Sequence, residues 1–499
     1  MGFLIFILQT FLLSLRYKLV LLCVKFMINI EQKSNKIVIS NFNEKGSVEL
    51  YEFLLPKKEM FEWEYYSDKK KEEGVRSWDN RAVQKNTNAK RLNRFRLIEW
   101  MESLSEEEKS KIYDFNKPKK FFCDIEVEIQ DEFPDPNLAK TPVVTIALSD
   151  EDNIITVLGI REISKKDIQD TENKLKEYFK DYTPDIKFNY VYFNSEYDML
   201  YTFFVKFMPR IPFLTGWYFL DFDWKYLLKR ARDLQVPVEK CSPTNRLAGI
   251  HETPVHKVIV DYKEIYEKWD KSLKENLTLD WTAKYRLGLS KVKYPGSLKD
   301  LYLNDYLLFV FYNAVDTHLV NLLDKKTSVA DIFFKLGTLT KSEYQKAFSP
   351  VHMTENVLCR GLLEKNLVMI PEEIKRTKDN KYKGAHVHKP KVGLYEFVGA
   401  FDFASLYPSV MRQFNISPES YLGKIGEEEE ESIFKVKKQK IENIEEKIVC
   451  ANGAIFDTEE SVLRKALDYF YDKRKKAKLE SYEVEKEIES LKKLLESKK

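Results

Sequence analysis

Residues 121–129 read FFCDIEVEI, and that alternation constrains what can surround them. Period two is the repeat of a strand, and it carries Asp124, Glu126 and Glu128 in step. Asp124 and Glu126 then share one face. Carboxylates that point into one space repel each other unless a cation lies between them. The plainer alternative is a half-buried strand with its acids in solvent. The segment DEFPDP at 131–136 follows as a turn-rich loop.

The rest of the chain surrounds this strand with a regular alternation of elements. Short β runs are expected at Lys36–Ser40 and Val48–Leu55, and a helix near Arg96–Met101. Val143–Leu158 reads as a hairpin around Asp150–Asn153. Ser164–Phe179 has helical spacing. A strand at Val191–Phe193 leads to a helix at Glu196–Phe207, and a strand at Phe213–Trp217 to a helix at Trp224–Leu234. Lys257–Tyr262 is a further strand. Leu303–Leu323 is a long helix carrying Tyr312 and Asp316. Strands alternating with helices imply an α/β sheet covered by helices. From Asp457 the pattern is one long helix with an apolar stripe, and such a stripe frays or finds a mate.

Length and charge narrow the class. At 499 residues the chain should hold several domains, about three on length alone. Its 82 basic and 79 acidic residues nearly cancel, so bulk charge names no partner and any basic surface is local. The basic stretch Lys69–Arg94 reads as solvated surface. The 5 cysteines are isolated, with no CxxC pair. That favours a reducing compartment and disfavours a structural zinc. Within residues 1–26 the apolar runs Phe3–Leu15 and Leu19–Val24 are broken by Arg16 and Lys18. Neither reaches the ~20 residues of a spanning helix. The expectation is a start at Met27 with a dispensable leader; a membrane anchor is the alternative.

Two constellations carry chemistry. The first is FDFASLYPSVM at 401–411. It is expected to bring Asp402 on a strand to a sharp turn into a helix. A carboxylate can hold Mg²⁺, and N–H groups at a helix start can hold phosphate; the plain reading is a strand-to-helix turn. The second is the set Asp124, Glu126, Asp223 and Asp316. Two divalent ions about 4 Å apart need such oxygen ligands. Tyr312 lies one helical turn before Asp316, where its hydroxyl could orient a water.

Together these stretches resemble a family B DNA polymerase of the kind found in T-even-like tailed phages. DIE at 124–126, TGWYFLDFD at 215–223 and YNAVD at 312–316 resemble its three exonuclease motifs. YKGAHV at 382–387 resembles the motif between exonuclease and polymerase domains. FDFASLYPS at 401–409 resembles the first polymerase motif, continued by NISPES at 415–420. DEFPDP, SPTNRL at 242–247 and CANG at 450–453 also fit. Asn194 with Asp198 is a near-miss for the second motif, and Asp221 competes with Asp223; the FD register favours Asp223. Tyr218 departs from the family, which usually has Asn there.

The resemblance implies an α/β, multidomain fold: an RNase H-like 3′→5′ exonuclease domain with an N-terminal α+β domain, a partial palm and helical half-fingers. The expected divisions are 1–26 leader, 27–118 N-terminal domain and 119–326 exonuclease. Residues 327–375 would return to the N-terminal domain, followed by 376–456 palm and 457–499 first fingers helix. Asp124, Glu126, Asp223 and Asp316 would bind two Mg²⁺ or Mn²⁺ ions, with Tyr312 orienting water. Asp402 and the Phe403 carbonyl would bind a metal. Ser405, Leu406 and Tyr407 would hold a dNTP, with Arg474 and Lys478 gripping it. Tyr382, Gly384, Trp217 and Tyr218 would contact DNA, as primer-template or as a single-stranded 3′ end. The family's KxxxNSxYG and DTDS motifs are not in the sequence, so synthesis is expected to need a second polypeptide; a sliding clamp is a further implied partner. The implied setting is the host cytoplasm, without stable membrane association. The alternative function is a catalytically decayed DNA-binding or assembly subunit.

Overall fold

The computed structural model describes residues 29–66, 74–113, 116–128, 134–270, 275–370, 388–403, 405–425 and 444–497. The leader 1–26 and the acidic loop at 427–431 fall outside them. The chain divides into two compact units. One gathers 104–356 with the N-terminal strands up to Lys57 and the residues from Glu483 on. The other gathers Lys58–Ser103 and Val357–Tyr482. The division therefore cuts through the expected 27–118 segment.

The first unit is built on a six-stranded sheet. Its strands are β1 (Lys120–Val127), β2 (Val143–Asp150), β3 (Ile154–Gly159), β4 (Lys187–Tyr192), β5 (Phe213–Gly216) and β6 (Val258–Asp261). Their order is β4-β3-β2-β1-β5-β6. β1, β2 and β3 run antiparallel as a meander, and the remaining pairs are parallel. All eight residues of β2, VVTIALSD, are buried, because helices cover both faces. On one face Cys123, Ile125 and Val127 pack with Trp224, Leu227 and Ala231 of α2 (Asp223–Asp233), which follows α1 (Lys165–Tyr178). α3 (Tyr262–Trp269) comes next. On the opposite face lies α4 (Tyr306–Thr327), with Phe309 and Tyr312 against Val144. Full burial of a side chain such as Phe309 contributes roughly 1.5–3 kcal/mol. α4 is long and apolar enough to cross a membrane, yet 78% of its most apolar window is buried in protein. It is the core helix of this sheet.

Local sequence explains most boundaries. Ser164 caps α1 in a reciprocal box with Asp167. The expected helix 303–323 is in fact two, Leu298–Asn304 and α4, because Asp305 breaks the first and caps the second through Leu308 N. The helix from Glu196 ends at Thr202 and continues as a π turn, Phe203–Phe207. The strands Asn29–Lys33, Lys36–Phe42 and Val48–Leu54 form a separate antiparallel sheet of the same unit.

In the second unit Leu358, Leu362 and Val462 form a small core with Trp78. A Cβ on Gly361 would overlap Val462, so only glycine permits this approach. Tyr421–Lys424, Ala454–Phe456 and Ile448–Val449 form a three-stranded sheet. The long helix starts at Val462 rather than Asp457. The Asn415 side-chain amide donates through Nδ2 to the carbonyls of Asp457 and Glu459 at 2.7 and 2.6 Å and holds that stretch as a turn. The expected strand carrying Asp402 is not formed: residues 388–403 lack regular structure. Among the described residues no strand pairs with them, and an unpaired strand leaves its backbone groups unsatisfied. The helical half of that expectation holds, at Leu406–Gln413.

Candidate active site

β1 delivers the first two carboxylates. Cys123, Ile125 and Val127 turn into the α2 core, so Asp124 and Glu126 face the other way, toward α4. The register against β2 shifts at Glu126/Val127, where Val144 is passed over, so the extra residue lies on β2. β5 pairs with β1 only as far as Phe122. Beyond that point the Ile125 N–H is taken by the Asp223 carboxylate at 3.0 Å. Gly216, where β5 ends, lies so close that a Cβ would collide with the Cys123 carbonyl oxygen. α4 supplies the rest: Asn313 Nδ2 donates to Asp124 Oδ2 at 2.7 Å, and Asn313 Oδ1 accepts from Thr145 Oγ1 at 3.0 Å. Asp316 follows on the same helix, buried.

The four carboxylates feel one another. Burial pushes Asp124 up to about 7, and the charge of Asp316 adds to it. Glu126 is raised well above the usual carboxylate range by burial, then by Asp124 and Asp316. Asp223 is raised by burial and by Asp124. Asp124 and Glu126 stay half-buried, at the mouth, while Asp223 and Asp316 are buried. Asp316 Oδ1 is buried with no hydrogen-bond donor.

Lys291 is the cation among them. Its ammonium lies 2.5 Å from Asp316 Oδ2 and donates to the Tyr312 hydroxyl at 3.1 Å. Tyr294 packs edge-on against Tyr312, with ring centroids 5.4 Å apart. Lys291, Asn313 and Tyr294 were not singled out from the sequence. Only Asn313 had a local signal, its place beside Tyr312. Among the described residues no three His, Cys, Asp or Glu side chains close on one point as an ion's ligands would. The donor set nonetheless suits a hard divalent ion: all-oxygen, mutually repelling, with one orphaned oxygen at Asp316.

The competing acids lie elsewhere. Asp198 is exposed and caps its helix with Ser195. Asp221 is exposed and faces His251 at 3.9 Å. Trp217 is anchored through its indole N–H to the Leu277 carbonyl at 3.1 Å, and Tyr218 is half exposed. In the second unit Arg474 Nη1 donates to Ser405 Oγ at 3.2 Å, so two of the expected triphosphate-binding residues meet. Ser405 has a left-handed φ of 54° at the helix start. Leu406, Tyr407 and Lys478 are exposed, as are Asp402 and Phe403 on irregular backbone. Tyr382 and Gly384 lie outside the described residues.

Comparison with known proteins finds two domain matches of one family along the chain. The model of the DNA polymerase family B exonuclease domain matches residues 75–272, and that of DNA polymerase family B matches 351–498. Asp124, Glu126 and Asp223 fall in the first match, and Asp402 in the second; Asp316 lies between them. The DNA-directed DNA polymerase of Escherichia phage RB69 is 28% identical over 332 residues, 62% of this chain and 36% of that protein. That of Enterobacteria phage T4 is 24% identical over 455 residues, 84% of this chain and 48% of its own. DNA polymerase 1 of Sulfolobus acidocaldarius is 28% identical over 331 residues, 60% of this chain and 35% of its own. The chain thus spans half or less of the length of these relatives. With an exonuclease-domain match followed in order by a polymerase-domain match, the chain belongs to the family B DNA polymerases.

Proposed function

We propose that this chain is a metal-dependent 3′→5′ exonuclease that shortens single-stranded or frayed DNA from its 3′ end. The carrying observation is the set of four carboxylates from β1, α2 and α4, all raised by burial, with Asp124, Glu126 and Asp223 raised further by carboxylate neighbours in the set. Asp124 and Glu126 would bind the two Mg²⁺ or Mn²⁺ ions, with Asp316 on the first and Asp223 on the second. Bound ions of this kind neutralise phosphate charge and lower the pKa of water. The chain's own contribution is placement. Asn313 fixes the Asp124 carboxylate, and Lys291 fixes both Asp316 and the Tyr312 hydroxyl. Tyr312 would orient the water whose oxygen bonds to the terminal phosphorus. The bond to the penultimate 3′ oxygen breaks, that oxygen takes a proton, and a nucleoside 5′-monophosphate leaves.

Proofreading is the role this reaction would serve. Template-directed synthesis would require a second polypeptide carrying the rest of palm, fingers and thumb. Asp402 and the Phe403 carbonyl would then hold metal. Ser405, Leu406, Tyr407, Arg474 and Lys478 would hold the dNTP, and Tyr382 and Gly384 the DNA. An RNase H-like exonuclease domain over 119–326, a sliding-clamp partner and action in the host cytoplasm belong to the same reading. The test is a time course on 3′-extended, 5′-labelled single-stranded DNA. A ladder of shorter products with Mg²⁺, stopped by EDTA, is expected. An unshortened strand would sink the proposal, and DNA binding indifferent to Asp124→Ala would then leave the decayed-subunit alternative.

A further inference from the structure

The stretch that carries Lys291 has no backbone ladder to hold it. Residues 289–294 lack regular structure, between the helices Leu279–Leu287 and Leu298–Asn304. A lysine stem is flexible, so where its ammonium rests depends on how its backbone is held. Both polar ends of the peptide unit joining Ser290 to Lys291 are taken by side chains. The Tyr178 hydroxyl, at the end of α1, donates to the Ser290 carbonyl. Asp280 Oδ1 accepts from Lys291 N at 2.7 Å. Bonds on opposite ends of one peptide plane fix its tilt as well as its place, and each polarises the group that makes the other. Gly288 permits this arrangement. Its left-handed φ of +69° ends the helix and turns the chain back toward Asp280, 11 residues before Lys291. The Tyr182 hydroxyl pins the same turn at the Leu287 carbonyl. Tyr178 also lies within reach of the site's charge: burial, then Asp316 and Asp280, raise its hydroxyl above the usual range. Satisfying stray backbone groups is the plainer account of such bonds. This pair differs in that both bonds fall on the peptide of the residue whose side chain bridges Asp316 and Tyr312.

We infer that Tyr178 and Asp280 are positioning residues of the exonuclease site, clamping the Ser290–Lys291 peptide so that the Lys291 ammonium stays between Asp316 and the Tyr312 hydroxyl. Both act through Lys291, and neither is assigned a contact with DNA or an ion. Partners one step removed from metal-binding groups tune those groups by placement. The catalytic consequence rests on the exonuclease reading, whereas the clamp itself does not.

The clamp is tested on the full chain in EDTA, by the rate at which acetic anhydride modifies Lys291, read by mass spectrometry after digestion. Tyr178→Phe and Asp280→Ala should each speed that modification roughly two- to tenfold, the factor that one lost hydrogen bond allows. Asp280→Asn keeps an acceptor for Lys291 N and should restore the parent rate. Lys120, buried in its pair with Asp324, is the reference and should not change. Lys291 reacting at the parent rate in both variants would overturn the clamp. So would Lys291 and Lys120 speeding up together, since that describes a loosened fold. Cleavage in Mg²⁺ tests the consequence. Tyr178→Phe should lower kcat on 5′-labelled single strands roughly tenfold at unchanged KM, the scale for partners one step from a metal site. In a Lys291→Met background the same change should cost nothing more. An equal loss in both backgrounds would break the route through Lys291. A parent chain that leaves the strand intact removes the exonuclease reading, and the rates in EDTA then still decide the clamp.

Discussion

Asp124 and Asp402 each begin as one carboxylate in an apolar stretch, and the fold treats them in opposite ways. Asp124 sits on a strand paired with β2, with a helix over its face and three other carboxylates within electrostatic reach. Asp402 is exposed on unpaired backbone, among Phe401 and Phe403 that are exposed with it. The contrast separates a site that is built from a motif that is only written. Desolvation and mutual repulsion raise the first group's affinity for protons, and by the same physics for a divalent cation. Bulk water around Asp402 screens any comparable field.

The sharpest way to break this comparison is to remove the built site. Asp124→Ala and Asp316→Asn should each cut strand shortening by on the order of 10³-fold, equivalent to the several kcal/mol of charge stabilisation that a bound ion supplies. In EDTA Asp124→Ala should melt at or above the parent temperature, because it removes a repelling carboxylate, whereas Asp316→Asn should melt lower, because it strands the Lys291 ammonium. Asp124→Ala losing activity and stability together would mean that this carboxylate serves the fold instead.

Protonation sharpens the same point. A carboxyl raised to about 7, as Asp124 is, keeps in the folded state a proton that the unfolded chain releases near pH 4. Metal-free stability should therefore fall as pH rises from about 4 to about 7, by up to roughly 1.4 kcal/mol per unit. Other groups complicate the raw curve. His256 is lowered to about 4 and His318 to about 3 by burial, which gives the opposite slope below pH 6.5. Asp261, raised to about 6, adds to the slope of Asp124. The difference between the parent and Asp124→Asn isolates the site, read from denaturant midpoints in EDTA at pH 5 and pH 8. A difference that does not change with pH would show that Asp124 is ionised throughout.

The legible part of the site was the part with a local period. Alternation put Asp124 and Glu126 on one face, and helical spacing put Tyr312 one turn from Asp316. The FD register chose Asp223 over Asp221; Asp223 is buried and Asp221 exposed. Strand formation at Asp402 was not legible, because pairing depends on a neighbour that no local pattern encodes. The same holds for Lys291. It lies in the polar stretch KVKY with no periodicity, and only the folded chain brings it to Asp316. The break at Asp305 was missed because the apolar pattern runs through it. The left-handed turn at Tyr218 was missed because nothing in a tyrosine announces it.

Lys291 gives a smaller effect with a definite sign. Lys291→Met strands the Asp316 carboxylate without its cation, a loss that reaches several kcal/mol for a fully buried pair. A third of the Lys291 side chain remains in water, so roughly 1–3 kcal/mol is expected in EDTA. Saturating Mg²⁺ should recover most of it, since an ion supplies the missing charge. Melting curves with and without Mg²⁺ measure both terms. A loss that Mg²⁺ leaves untouched would assign Lys291 to the scaffold alone.

Asp402→Ala should do least. The side chain is exposed, no strand among the described residues holds its backbone, and removing an exposed charge changes stability by less than about 0.5 kcal/mol. Strand shortening should proceed at the parent rate, because the carboxylates proposed for it all lie in the other unit. The informative measurement repeats both assays with a polypeptide carrying the complementary polymerase motifs. If that polypeptide completes the second site, Asp402→Ala should abolish nucleotide incorporation while still leaving exonuclease rate and melting temperature where they were. A change in either quantity without the added polypeptide would mean that Asp402 already belongs to a formed site, and the contrast with Asp124 would fail.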